Sequence, residues 1–131
     1  MAESDIKEDA KRTIMEFITD LRRGVFDKPA EQLELAIVEA YYSGRDADEA
    51  MHHLVTHILP YKERITGRDV AFFVEKKGDI FRGLPAARVD YFASMVSTPS
   101  SLGGMDNVDK DVIWQYFDTF IWLAEEYKKK K

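Results

Sequence analysis

Apolar residues near the start of the chain, Ile6, Ala10, Ile14, Phe17, Ile18 and Leu21, recur at three- and four-residue spacing. That period places them on one face of a helix. The pattern predicts a first helix from about Asp5 to Arg23, with Ser4 as its N-cap and Gly24 as its stop. A second helix is expected from Pro29, a residue favoured in the first turn, to just before Gly44. A third begins at Asp46, where Asp46-Ala47-Asp48-Glu49 resembles a capping box, and Met51, Leu54, Val55 and Ile58 make its core face. Pro60 interrupts or restarts it.

Val70 to Val74 suits either a short strand or a buried helical turn. A helix over about Arg68 to Lys76 is expected, because the neighbours are helical and no second strand candidate is there to pair with it. Gly78, Gly83 and Pro85 mark loops, and Pro85 opens a helix through Val96. Ser97 to Met105 reads as a turn-rich loop. A last helix covers about Asp106 to Tyr127, followed by lysines that suit a helix C-terminus. The expectation is an all-α fold, a single compact domain over residues 1–131 with five or six helices.

Two helices carry more apolar surface than one core contact needs. In the second, Leu33, Ala36, Ile37 and Ala40 share one side, while Leu35, Val38 and Tyr42 form a stripe nearly opposite. In the last, Val112, Ile113, Tyr116, Phe117, Phe120, Ile121, Leu123, Ala124 and Tyr127 spread over roughly half the circumference. Trp122 projects to the other side, among Asp111, Gln115, Asp118 and Glu126. Helices apolar nearly all round sit centrally or against a partner. A homodimer is therefore expected, with Leu35, Val38, Tyr42, Trp114 and Trp122 as its contact residues.

Charge narrows the partners. The 131 residues carry a net charge of −5, distributed as −6 over residues 1–60, +2 over 61–90 and −1 over 91–131. Nucleic-acid binding rests mainly on neutralising phosphates, so an acidic chain is a poor binder. The segment with Lys62, Arg64, Arg68, Lys76, Lys77, Arg82 and Arg88, interleaved with Tyr61, Phe72, Phe73 and Phe81, keeps an accessory role at nucleic acid as an alternative, together with the terminal lysines. No cysteine is present, which excludes a disulfide framework, a cysteine nucleophile and a Cys-based zinc site. The first residues lack a signal-peptide pattern, and no apolar run approaches the ~20 residues of a membrane span. A soluble, intracellular protein with no membrane partner is expected.

The three histidines, His52, His53 and His57, fall within six residues. Asp46, Glu49, His53 and His57 lie within about 80° of one another on a helical wheel, a spacing that suits shared metal ligands. A metal-dependent activity at Glu49, His53 and His57 is the second alternative. The stripe lies opposite the core face and is expected to face water, without the outer shell a metal site needs, so no metal or other cofactor is expected. Asn107 to Asp111 resembles the start of a calcium loop, but Val112 stands at the required glycine and Asp118 at the closing glutamate. Gly103-Gly104 lacks the rest of a phosphate-binding loop, and no serine lies in a nucleophile elbow. No catalytic residue emerges, and the chain is not expected to be an enzyme.

His57-Ile58-Leu59-Pro60-Tyr61-Lys62-Glu63, with Asp111-Val112-Ile113-Trp114-Gln115-Tyr116-Phe117 running into Leu123-Ala124-Glu125, resembles small helical proteins of giant nucleocytoplasmic DNA viruses, the Marseillevirus group in particular. The resemblance covers about residues 57–128 and rests on an acidic start, Ile-Trp-x-Tyr and an aliphatic-aromatic helix. It implies a virion-associated or infection-stage protein of the virion, or of the cytoplasm or nucleus of a host cell, acting through protein contacts.

Overall fold

The structure, a computed structural model, describes residues 3–24 and 29–130. Its elements are α1 (Glu3–Gly24), α2 (Pro29–Ser43), α3 (Ala47–His53), α4 (Lys62–Thr66), α5 (Val70–Glu75), α6 (Lys77–Ile80), α7 (Ala86–Ser97) and α8 (Asn107–Lys129). The fold is all-α, and no strand occurs among the described residues. The helices outnumber the five or six expected because residues 47–80 are cut into short segments. α1 already includes Ser4, which stands within the helix rather than at its cap, and the side chain of Tyr42 lies outside the described residues.

Three helix starts follow from one device. Asp46, Asp69 and Asp106 each accept a hydrogen bond from the backbone N–H three residues on, at 3.0, 3.0 and 2.9 Å. Each bond satisfies a donor that the first turn leaves without an intrahelical partner. Asp69 thereby settles the ambiguous stretch as helix, starting at Val70.

α3 does not continue as an α-helix. Leu54–Ile58 is a π-turn, closed by the Leu59 N–H donating to the Leu54 carbonyl, and Leu59–Tyr61 is a 3-10 turn. Pro60 lies within that 3-10 turn and has no N–H to extend an α ladder. At the end of α4, Arg68 adopts a left-handed φ of 56°, and the Arg68 and Asp69 N–H groups close the turn on Ile65 and Arg64 carbonyls. The Arg68 guanidinium then binds Asp118 of α8 through two bonds, at 2.8 and 2.7 Å, and lies over the Trp114 ring.

One hydrophobic cluster runs from Ile6 to Ala124, with α1 packed on α2, α3 and α8. Phe17 of α1 meets Phe81, Phe92, Phe117 and Phe120 with ring centroids 5.7 to 6.3 Å apart. Three of these contacts are edge-on, the arrangement that ring quadrupoles favour.

The structure corrects the expected contact surface. Leu35 and Val38 point inward and are buried, as is Trp114, which packs edge-on against Phe73 at 5.2 Å. Buried side chains offer nothing to a partner. The outward stripe of α2 is the opposite one, with Leu33 66% and Ile37 62% exposed. Trp122 does face outward, at 51%.

Candidate functional site

The histidine stripe is where chemistry collects, and its surroundings differ from those the spacing implied. The residues after Lys76 form α6, a single turn that sequence punctuation had marked as loop. That turn covers the stripe. The His53 Nε2–H donates to the Ile80 carbonyl at 2.8 Å, satisfying an acceptor at a helix end. The His57 Nδ1–H donates to Asp79 Oδ1 at 2.8 Å, and the Tyr61 hydroxyl donates to Asp79 Oδ2 at 2.6 Å. The expectation of a water-facing stripe is therefore corrected for its two histidines: His53 and His57 are half-buried, whereas Asp46, Glu49 and the neighbouring His52 are exposed. π-turns recur at functional sites, and His57 sits in one.

Each ionisable group responds to this packing. The Tyr61 hydroxyl, then His57, hold the Asp79 carboxyl below the ordinary carboxylate range against the opposing effect of burial. The same hydrogen bond from the other side raises the Tyr61 hydroxyl. Burial lowers His53, outweighing its bond to Ile80, and His57, whose ring centroid is 5.0 Å away, adds to the lowering. With Nδ1 donating to a carboxylate, the neutral His57 ring keeps its lone pair on Nε2.

The His53 shift predicts a pH dependence of stability. An unfolded chain takes up the proton near the ordinary histidine value of 6.5, whereas folded His53 resists it. Below about pH 6.5 the unfolded state thus binds more protons and stability falls, by at most ~1.4 kcal/mol per pH unit for this one group. Above that pH both states are neutral and the contribution vanishes. Thermal melts should show a smaller drop between pH 7.5 and 5.5 for His53→Gln than for the parent chain. Equal drops would mean His53 is not held neutral by burial.

These histidines line a groove of about 750 Å³ between α1 and the α3 π-turn, which also takes in Ile14, Met15, Glu49 and Arg82. The three metal candidates do not converge in it. Glu49 is bound by Arg45, and the Ile80 carbonyl holds His53 Nε2. Among the described residues, no group of three His, Cys, Asp or Glu side chains is placed to hold a metal ion. Asp79 as the partner of His57 and Tyr61 was not legible in the sequence, because those pairings span 22 and 18 residues, with no local spacing to betray them.

The basic segment is largely neutralised within the fold. Lys62 pairs with Glu125, Arg64 with Asp69, Arg68 with Asp118, Lys77 with Asp90 and Arg88 with Glu34. Phe73 and Phe81 are buried, so neither offers a ring for base stacking. No helix among the described residues is long and apolar enough to cross a membrane.

Comparison with protein-family models, curated proteins and solved structures finds no match to this chain.

Proposed function

We propose that the chain is a non-enzymatic interaction protein that pairs with a second copy of itself through the outer face of α8. One observation carries the reading. Val108, Val112, Gln115, Thr119 and Trp122 follow one another at spacings of four, three, four and three, and all are exposed. This is the seam spacing by which helices pack along their length.

The two ends and the centre of the seam are self-complementary when read in opposite directions. Val108 lies seven residues before Gln115 and Trp122 seven after it. A two-fold axis at Gln115 sets each Trp122 against Val108 of the other copy and Gln115 against its own counterpart. Charge supports the same orientation. Asp106, Asp109 and Asp111 are exposed at the start of the helix, and Lys128, Lys129 and Lys130 at its end. Antiparallel pairing brings opposite charges and opposite helix-dipole ends together. The internal pairing of the basic segment favours this reading over a nucleic-acid role. The viral resemblance of residues 57–128 adds a virion-associated or infection-stage setting for such a dimer.

A single helix pair is at the small end of interface sizes, so the expected affinity is micromolar. Sedimentation equilibrium should give a mass near twice the chain mass of 15.1 kDa at high micromolar concentration. Trp122→Glu should weaken the dimer at least about tenfold without changing the helical circular dichroism. Ile37→Glu, on the exposed face of α2, should leave it intact. A parent chain that stays monomeric, or a dimer broken by Ile37→Glu and untouched by Trp122→Glu, overturns the proposal.

A further inference from the structure

We infer that Thr98, in the loop between α7 and α8, is a phosphate-acceptor site for a proline-directed Ser/Thr kinase, with Lys110 placed to pair with the phosphate. Thr98-Pro99 is the one Ser/Thr-Pro step in the 131 residues, since the other three prolines follow Lys28, Leu59 and Leu84. Proline after the acceptor selects a class of kinase for a physical reason. A pocket that offers no acceptor for an N–H admits proline, whereas any other residue would bury an unpaired donor there.

The structure adds what the dipeptide alone does not. The Pro99 ring disfavours the α region for Thr98, so α7 ends at Ser97 and Thr98 turns extended, with φ −91° and ψ 133°. Pro99 continues in the same form, with φ −57° and ψ 144°. Ser97, Pro99, Ser100 and Ser101 are exposed around the half-buried Thr98. Its hydroxyl sets it apart from the other threonines. Thr13, Thr19, Thr66 and Thr119 lie in α-helices and Thr56 in the π-turn, and each of their hydroxyls is engaged in a hydrogen bond within the fold. Thr98 engages its N–H with Ser94 and its carbonyl with Lys110, but its hydroxyl makes no hydrogen bond among the described residues. Phosphoryl transfer uses that free group. Thr98 Oγ1 attacks the γ-phosphorus of ATP in line, and the bond from that phosphorus to the β–γ bridging oxygen breaks. ADP leaves, and the hydroxyl proton passes to the catalytic aspartate of the kinase.

Lys110 already reaches this residue, with its ammonium 2.8 Å from the Thr98 carbonyl, a neutral acceptor. A phosphate of about two negative charges on the same residue offers a stronger, charge-assisted bond. The start of α8, where Lys110 stands, also favours negative charge through the helix dipole, while Asp106 and Asp109 at that end oppose it.

Incubated with a purified proline-directed kinase, magnesium and ATP, the full chain should gain one phosphate, mapped to Thr98 by mass spectrometry. Thr98→Val should abolish the labelling, and Pro99→Ala should slow it at least about tenfold, both with circular dichroism unchanged. Ser97→Ala and Ser100→Ala should be labelled like the parent chain. The change in melting temperature on phosphorylation should be more favourable in the parent chain than in Lys110→Gln, which reads the pairing. A folded chain left unlabelled while a peptide of residues 94–104 is labelled overturns the inference. So does labelling that survives Thr98→Val, an unchanged rate in Pro99→Ala, or an equal melting change in Lys110→Gln.

Discussion

Replacing Phe117 with alanine should lower the unfolding free energy by about 3–5 kcal/mol, a large share of what a domain of ordinary stability possesses. Phe117 is 1% exposed and sits edge-on to Phe17, Phe73, Phe81 and Phe120 at centroid distances of 5.2 to 5.8 Å. Those rings come from α1, α5, the turn after α6, and α8 itself. Truncation removes contacts with several elements at once, and rings locked edge to face cannot all shift to fill the space. Phe117→Leu retains much of the volume and should cost clearly less. Urea denaturation measures both. A loss below about 1 kcal/mol for the alanine variant would contradict a core built around this ring.

The second large effect comes from a glycine. A Cβ added at Gly104 would lie 1.9 Å from the Thr98 carbonyl oxygen and 2.6 Å from its carbon. Both are backbone atoms, so no side-chain rotation relieves the clash. The loop around them is tied down: the Gly104 N–H donates to Pro99, the Met105 N–H to Met95, and the Lys110 ammonium to Thr98. Moving Thr98 away means surrendering one or more of these bonds. Gly104→Ala should therefore cost about 3 kcal/mol, combining overpacking with lost hydrogen bonds. Gly78 supplies the contrast, since an added Cβ there meets nothing within 4 Å. In α6 the same substitution should stabilise by roughly 0.5–1 kcal/mol through reduced backbone entropy. Thermal melts of the two variants should move in opposite directions.

The groove and the outer face of α8 draw on separate residues. Trp122 does not line the groove, and neither Arg82 nor His57 belongs to the α8 seam. Charge explains why the interaction reading is preferred to a nucleic-acid one. The sequence counts charges, whereas the fold spends them, and Lys62, Arg64, Arg68, Lys77 and Arg88 are spent on carboxylates of this chain.

The sequence by itself determined the helical class and most long-helix boundaries. Those signals are local: a repeat of apolar residues every three or four positions, an aspartate that caps its own first turn, a proline at a helix start. α2 begins at Pro29, and α3 and α8 begin directly after Asp46 and Asp106, as the local chemistry requires. Only the tertiary structure decided which apolar face each helix buries. Periodicity finds two stripes on α2 but cannot say that Leu35 and Val38 meet the rest of the chain while Leu33 and Ile37 meet water. Trp114 and Trp122 pose the same question eight residues apart on one helix, and Phe73 and Arg68 answer it by covering the first. The candidate site is the most tertiary feature of all. His53 and His57 were visible as a pair, but their partners Ile80 and Asp79 lie 27 and 22 residues away, on a single helical turn too short to show a period. A contact of that range depends on how the intervening elements pack, and no spacing rule along the chain contains it.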